Sequence, residues 1–224
     1  MTPQPADYAA QRRNMVESQL RPNKVTDERI LTAMEQLPRE TFVPASAGDV
    51  SYLDEDTPIG NGRFLMEPML QARLLQAAQI KDTDKVLEIG CATGYGTALL
   101  ASLSGEVVAT DIDSALLAAA TANLRRLGLK AQFTASPFER GLPEMQPYDV
   151  IMVNGAVAEV PAGWAAQLKD NGRLLVILRA DNGVTQTGVA RLYQKVAGQF
   201  SWIALFDAQT PYLPGMAPRP QFVF

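Results

Sequence analysis

Short apolar runs alternate with amphipathic segments through most of the chain. The segments between the apolar runs, residues 95–102 and 114–127, have the composition of helices. Two further runs, 189–196 and 200–206, are joined by Ala197-Gly198-Gln199, which predicts an antiparallel hairpin. The runs with the length of buried strands are residues 85–89, 106–110, 131–135, 150–153 and 173–178. This order predicts an α/β fold with a mainly parallel sheet, an antiparallel edge hairpin and helices on both faces.

The first 67 residues follow another pattern. Residues 8–20 form a weakly amphipathic helical segment, and apolar residues at helical spacing predict a second helix that starts at an N-cap Thr26 and ends before Pro38. Residues 49–63 are rich in Asp, Pro and Gly, which predicts a loop. The pattern divides the chain into an N-terminal helical extension with this loop, 1–67, and an α/β domain, 68–224. The proline-rich end of that domain, 211–224, is expected to lie along the surface.

Composition narrows the classes of function. The chain has 224 residues, 47% of them hydrophobic, with a net charge of -4, so it can build a sizeable core but not a strongly basic face for nucleic acid. It contains no histidine, which excludes Ser-His-Asp and Cys-His nucleophilic machinery and the usual zinc sites. The single cysteine, Cys91, suits a reducing cytosol. Because the N-terminus is polar and no apolar run is long enough to span a membrane, the expected location is cytoplasmic.

A glycine-rich turn follows the first strand of the α/β pattern. The segment 86–96 contains a strand end, then Gly90, Gly94 and Gly96, and then the start of a helix. In a doubly wound sheet, such a turn lies at the carboxyl ends of the strands, where nucleotide-like ligands bind. The next strand ends in Asp111, which is placed to accept hydrogen bonds from ribose hydroxyls.

The spacing of this turn distinguishes two classes of cofactor. A dinucleotide site uses G-x-G-x-x-G, and the three glycines here do not have that spacing. Glu88, just before the first glycine, would also repel a pyrophosphate. A carboxylate there suits a cationic ligand such as S-adenosylmethionine, which carries an ammonium and a sulfonium. The turn therefore favours an adenosyl cofactor over a nicotinamide one, and the alternative is a purely structural strand–helix turn.

Several blocks of the sequence are similar to one known family, and together they cover most of the chain. The blocks are MVESQLR (15–21), VTDERIL (25–31), PRETFVP (38–44), a loop with Tyr52, Asp54, Pro58-Ile59-Gly60, Gly62 and Pro68, VLEIGCATGY (86–95), EVP (159–161), LK (168–169) and GRL (172–174). The chain resembles the protein-L-isoaspartate (D-aspartate) O-methyltransferase family. The resemblance implies a class I S-adenosylmethionine-dependent methyltransferase fold, which is Rossmann-like with a mainly parallel seven-stranded sheet and an antiparallel edge hairpin, plus an N-terminal helical extension.

The resemblance also implies an activity. It is methyl transfer from S-adenosyl-L-methionine to the carboxylate of isoaspartyl residues in damaged proteins or peptides, a protein-repair reaction. A carboxylate with a pKa near 4 is already a nucleophile at neutral pH, and a sulfonium is already an activated leaving group. The enzyme therefore has mainly to align the two groups and exclude water, which needs no histidine.

Candidate site residues follow from the turn and from the resemblance. The acceptor loop is expected to offer its backbone amides at Gly60 and Gly62 to a carboxylate. An Asp111→Ala substitution is expected to weaken cofactor binding while the fold stays intact. The candidates for the cofactor are Glu88, Gly90, Cys91, Gly94, Tyr95, Asp111, Ile112 and Phe138, and those for the acceptor are Ile59, Gly60, Asn61, Gly62 and Met66.

Three positions depart from the family pattern. Met66 stands where the family has a serine associated with the active site, so no catalytic residue is assigned. Ala92 replaces the middle glycine of the turn. The segment Ala135-Ser136-Pro137-Phe138 replaces the family's Gly-Asp-Gly, whose aspartate meets the adenine, and Pro137 offers no donor. Two alternatives to the implied activity follow: the same cofactor with another acceptor, or a cofactor-binding or scaffold protein that has lost isoaspartyl methyl transfer.

Overall fold

The N-terminal region is helical, as its sequence predicts. The computed structural model describes residues 7–179 and 187–218. Helix α1, Tyr8–Met15, continues into a π-helical turn, Val16–Leu20, and helix α2 spans Glu28–Gln36. Its N-cap is Asp27 and not the predicted Thr26, because the Asp27 carboxylate accepts the Arg29 N–H at 2.9 Å while the Thr26 N–H donates to Gln76 at 2.6 Å. Two 3₁₀ turns, Arg39–Phe42 and Ala45–Val50, lead out of this region.

The segment predicted as a loop contains a small hairpin. Strands β1, Thr57–Gly60, and β2, Arg63–Leu65, pair in antiparallel fashion as a sheet of their own. Helix α3, Pro68–Ala78, follows at once with its proline in the first turn, where the missing N–H costs no hydrogen bond. The hairpin therefore connects the helical extension to the α/β domain.

Seven strands form one sheet within the described residues, in the order β5-β4-β3-β6-β7-β8-β9. Strands β3 to β7 run parallel, and β8 and β9 form the antiparallel edge hairpin, which confirms the predicted fold class. The elements are β3 Lys85–Ile89, α4 Tyr95–Leu103, β4 Glu106–Asp111, α5 Ser114–Arg126, β5 Gln132–Ala135, β6 Tyr148–Val157, α6 Ala162–Ala166, β7 Leu168–Leu178, β8 Gly188–Val196 and β9 Gln199–Ala208.

Both faces of the sheet are covered, because successive strand residues point to opposite sides. Val86 and Val150 pack in a core shared with the N-terminal helices. Leu87 and Ile151, one residue further along each strand, pack on the other side with Trp164. This arrangement leaves the carboxyl ends of β3, β4 and β6 together at one edge of the sheet, where the glycine-rich turn lies.

The segment after β9 folds back onto the sheet, and the expected surface path of residues 211–218 is interrupted by two buried side chains. Leu213 and Met216 are only 2% and 8% exposed. The Ala156 N–H donates to the Pro211 carbonyl at 2.9 Å, and the Leu213 N–H donates to the Ala156 carbonyl at 2.9 Å. These bonds fix the segment against the end of β6. Residues 219–224 of the predicted tail lie outside the described residues.

Candidate active site

The turn after β3 has three residues in the left-handed region of backbone conformation. Gly90, Ala92 and Gly94 have φ values of 84°, 52° and 92°. A Cβ at Gly90 would lie 2.8 Å from a methyl carbon of Leu213, and one at Gly94 would lie 2.9 Å from the Cβ of Ala120. Both glycines are therefore required, by conformation and by space.

Ala92 occupies the middle of this turn at a conformational cost. L-residues other than glycine lose roughly 1–2 kcal/mol in the left-handed region, while glycine loses more entropy on folding. We expect Ala92→Gly to raise the free energy of unfolding by about 0.5–1 kcal/mol. Chemical denaturation measures the change, with Ala98→Gly in the middle of α4 as a control that should lose stability. An equal loss in both variants would contradict the argument.

Asp111, the last residue of β4, lies next to the turn and is fully buried. Its carboxylate accepts the backbone N–H of Ala92 at 2.9 Å and that of Asp113 at 3.2 Å. Those two bonds tie the strand end to the turn and to the start of α5. Asp111 thus stands where the sequence places a ribose ligand, but most of its accepting capacity is used by the protein itself.

Arg63 from strand β2 supplies the remaining partner of Asp111. Its Nη1 atom lies 2.7 and 2.5 Å from the two carboxylate oxygens, and its Nη2 donates to the Gly90 carbonyl at 2.9 Å. The guanidinium carbon lies 5.3 Å from the centre of the Phe138 ring, and the side chain is only 4% exposed. A buried ion pair therefore occupies the candidate cofactor site.

Glu88 does not point into the open part of the site. Its side chain lies under helix α4, where it accepts hydrogen bonds from the Thr97 hydroxyl and from Asn154 Nδ2, the latter at 3.1 Å. Burial raises its pKa to about 7, against the opposing effect of these two hydrogen bonds. Glu88 is thus a buried acid behind the turn, and a ligand would reach it through Asn154.

A small cavity lies between the hairpin, the end of β6 and the segment after β9. Its volume is about 10 Å³, room for about one water molecule. Asn154 Oδ1 is buried and has no hydrogen-bond partner among the described residues. The lining residues are Gly62, Arg63, Phe64, Met66, Asn154, Gly155, Thr210, Pro211, Tyr212 and Leu213.

Phe138 and Ile112 flank the site on the side of β5. Phe138 begins a 3₁₀ turn and is buried, with its carbonyl accepting the Trp164 indole N–H at 3.0 Å. Ile112, directly after Asp111, is 50% exposed. A buried ring and an exposed aliphatic side chain therefore border the same strand end, as two sides of an adenine pocket would.

Two other candidates for the cofactor face away from the open site. Tyr95 packs edge-on against Phe42 at 5.3 Å, and the guanidinium of Arg39 lies 4.8 Å from its ring centre. Cys91 is buried, and burial raises the pKa of its thiol. Tyr95 thus anchors the N-terminal extension, and Cys91 is a small packing residue.

The acceptor candidates divide between the tip and the base of the hairpin. Gly60, Asn61 and Gly62 form the exposed tip, and Asn61 Nδ2 donates to the Asp113 carboxylate at 2.7 Å. Ile59 and Met66 are buried in the core, 8% and 2% exposed. The tip is the accessible part of the predicted acceptor region, whereas the Met66 side chain mainly packs.

An acidic groove adjoins the small cavity and shares Thr210 and Pro211 with it. Its volume is about 360 Å³, and its other lining residues include Glu55, Asp56 and Glu67. Burial, together with nearby Asp54 and Asp56, raises the pKa of Glu67 to about 7. In the described ranges, no three His, Cys, Asp or Glu side chains come together as a metal site.

Sequence reasoning did not find Arg63, Asn154 or Leu213. Arg63 carries a weak signal, since it is a lone basic residue directly after the Asn61-Gly62 turn. Asn154 comes directly after the apolar run 150–153, just as Asp111 comes directly after the run 106–110. Its position at a strand end was therefore a usable signal. Leu213 has none, because its contact with Gly90 depends on the path of the chain after β9.

Comparison with known proteins agrees with this geometry. The family model described as protein-L-isoaspartate(D-aspartate) O-methyltransferase matches residues 10–207. A protein-L-isoaspartate O-methyltransferase of Koribacter versatilis is 38% identical over 209 residues, 93% of this chain and 92% of that protein. One of Methylorubrum extorquens is 35% identical over 204 residues, 89% of this chain and 90% of that protein.

Solved structures give the same result. A protein-L-isoaspartate O-methyltransferase superposes with a TM-score of 0.78 at 27% identity, covering 91% of this chain and 66% of the other. A Plasmodium falciparum structure, described as a putative protein-L-isoaspartate O-methyltransferase in complex with S-adenosyl-L-homocysteine, gives 0.76 at 19% identity, covering 93% and 98%. At that identity the second likeness concerns the fold alone.

Proposed function

We propose that this chain, which belongs to the protein-L-isoaspartate(D-aspartate) O-methyltransferase family, binds its cofactor at the turn after β3 and methylates isoaspartyl residues presented beneath the β1–β2 hairpin. It is an S-adenosylmethionine-dependent carboxyl methyltransferase of the protein-repair type. The observation that carries the proposal is the convergence of the glycine turn, Asp111 and the hairpin at one edge of the sheet. No other edge of the described sheet combines these features.

The residues at this edge fit the cofactor in their chemistry. The Asp111 carboxylate suits ribose hydroxyls, and the buried, unpartnered Asn154 Oδ1 suits an ammonium donor. Phe138 and Ile112 offer an apolar slot for an adenine ring. When bound, S-adenosylmethionine supplies a methyl group on a cationic sulfur. The Arg63 and Leu213 side chains fill the space that the cofactor would occupy. Binding of the cofactor therefore requires at least Arg63 to move.

On the acceptor side, the protein has to align the acceptor carboxylate with the methyl group and to exclude water. The exposed tip at Gly60 and Gly62 presents backbone amides that suit a carboxylate. Met66 at the base of the hairpin is buried and offers no hydroxyl, and its carbonyl accepts Arg39 Nη2 at 2.5 Å. Arg39 therefore fixes the base of the hairpin, while the tip is left to meet the acceptor. Because a carboxylate needs no activation, holding it in line is the main task.

The Glu67 carboxylate, when ionised, repels an anionic acceptor and so weakens its binding. Its raised pKa, about 7, means that it gains most of its charge between pH 6 and pH 8. We expect Glu67→Gln to lower the KM for an isoaspartyl peptide about threefold at pH 8, a change of less than about 1 kcal/mol for one removed charge, and to have little effect at pH 6. Steady-state kinetics at the two pH values measures this, with Glu35→Gln on α2 as the control. A KM ratio that does not change with pH would contradict it.

One pair of measurements tests the proposed function. Calorimetric titration with S-adenosylhomocysteine should give one site, and methyl incorporation should be seen with an isoaspartyl peptide but not with the same peptide carrying aspartate. Absence of cofactor binding at millimolar ligand would favour a protein that has lost methyl transfer. Cofactor binding without methylation of the isoaspartyl peptide would reject the acceptor.

A second candidate keeps the cofactor and changes the acceptor. The observation in its favour is Met66, whose thioether side chain replaces a hydroxyl at the base of the hairpin and is buried. Comparing turnover on an isoaspartyl peptide with turnover on small carboxylates and amines separates the two candidates.

We propose a cytoplasmic location for the chain and a division into two parts at residues 67 and 68. No helix in residues 7–179 or 187–218 has both the length and the apolar character of a membrane span. A cytoplasmic location is supported by the single buried thiol, Cys91, which suits a reducing compartment. The division at residues 67 and 68 is supported by the start of α3 at Pro68. Independence from nucleic acid is supported by the net charge of -4.

A further inference from the structure

The Arg63 side chain occupies a position that is unusual for a cation. It is almost fully buried, and within residues 7–179 and 187–218 its side-chain hydrogen bonds all go to groups at the cofactor turn, namely Asp111 and the Gly90 carbonyl. Its backbone belongs to the opposite side of the site, in strand β2 of the hairpin. One side chain therefore spans from the acceptor region to the cofactor region.

Arg63 and the cofactor compete for the same carboxylate. Asp111 has about four lone-pair positions, of which the Ala92 and Asp113 amides use two and Arg63 the others. Ribose hydroxyls can bind Asp111 only where the guanidinium has left it. The guanidinium also covers the ring of Phe138, which would contact the adenine.

Arg63 lines the small cavity beside Met66 and Asn154, and it is the one charged side chain lining that cavity among the described residues. The cavity has room for about one water molecule, so it has to widen before a displaced guanidinium and an acceptor carboxylate can meet there. A guanidinium without a partner in a buried site is costly, whereas one paired with a carboxylate through two parallel hydrogen bonds is stable. The acceptor of the proposed reaction is itself a carboxylate.

We propose that Arg63 exchanges Asp111 for the acceptor carboxylate when the cofactor binds. In the free protein the Arg63 guanidinium is paired with Asp111 and fills the cofactor site. After the exchange, Arg63 binds the isoaspartyl carboxylate beside the bound cofactor. The inference rests on the proposed function and deepens it, because it names the residue that recognises the acceptor and orders the binding, cofactor first.

The exchange predicts two opposite changes in one variant. Arg63→Gln removes the charge that holds Asp111, so S-adenosylhomocysteine should bind at least fivefold more tightly. The same variant lacks the cation for the acceptor, so an isoaspartyl peptide should bind the protein saturated with S-adenosylhomocysteine at least tenfold more weakly. Calorimetry measures both affinities without turnover. Arg73→Gln on α3, which loses a guanidinium stacked 3.6 Å from Phe206 outside the site, is the control and should change neither.

Each result either supports or overturns the proposed exchange of partners by Arg63. An unchanged or weaker affinity of Arg63→Gln for S-adenosylhomocysteine overturns the competition, and an unchanged peptide affinity overturns the role in acceptor binding. If Arg63→Gln does not fold, Arg63→Lys is measured in the same way, with about threefold changes expected because a lysine lacks the bidentate geometry. Failure of the wild-type protein to bind peptide would reject the proposed function together with this inference, whereas a wild-type protein that binds peptide, with variants that bind cofactor and peptide as it does, rejects the inference alone.

Discussion

Replacing Asp111 by alanine is expected to lower the free energy of unfolding by about 3–5 kcal/mol, because it leaves the buried Arg63 guanidinium without its partner. The two side chains are 0% and 4% exposed, so water cannot take over the role of the carboxylate. The sequence led to the expectation that this substitution leaves the fold intact. The ion pair revises that expectation, and weaker cofactor binding by the variant would be partly a loss of folded protein.

Urea denaturation measures the loss, with Asp113→Ala as the control. Asp113 caps α5 from a half-buried position and is not part of the buried ion pair, so its removal should cost only about 1 kcal/mol. Combining Asp111→Leu with Arg63→Met removes the unpaired charge and should recover part of the stability, but not the part lost with the hydrogen bonds that Asp111 accepts from the Ala92 and Asp113 amides. A loss below about 1 kcal/mol in Asp111→Ala would mean that Arg63 readily finds other partners.

Glu88 should make the stability of the protein fall as pH rises through neutrality. Burial raises its pKa from the ordinary 4.5 to about 7, and nearby Asp111 adds to the rise while Arg63 opposes it. The folded protein therefore binds a proton that the unfolded chain has already lost between these pH values. By linkage, the stability present below pH 4.5 decreases on the order of 3 kcal/mol by pH 8.

The Glu88→Gln variant isolates this contribution, since Glu67 titrates in the same range and affects both proteins. The free energy of unfolding of the variant minus that of the wild type should rise by about 3 kcal/mol between pH 4.5 and pH 8. A flat difference for Glu88→Gln would mean that its carboxylate is ionised in the folded protein.

The sheet and the place of the site were predictable because they depend on local patterns. Strand runs such as 85–89 carry their own periodicity, and a strand that ends in an acid, as β4 does at Asp111, places that acid at the carboxyl edge of a parallel sheet. The glycines at 90 and 94 likewise report a backbone requirement at their own positions. Such signals need no knowledge of distant residues.

The occupants of the site were not predictable, because they depend on contacts between distant parts of the chain. Arg63 meets Asp111 across 48 residues, and Leu213 reaches Gly90 only after the chain has crossed the whole sheet. The direction of a side chain was equally hidden. Glu88 and Tyr95 lie beside the turn in sequence, yet one points beneath α4 and the other towards the N-terminal extension.

The return of the chain after β9 means that the regular secondary structure ends before the residues that complete the pocket. A protein shortened at Gln209 would keep all seven strands of the sheet, yet it would lose Leu213 and Met216 from the core on one face, and with Leu213 the side chain that borders Gly90 and Gly155. Circular dichroism would report the secondary structure of such a protein as nearly complete, whereas thermal melting would show the loss of two buried side chains. Anyone who trims the chain, or fuses another domain to it, by the limits of its secondary structure would therefore remove one wall of the pocket with no sign of it in the secondary-structure content.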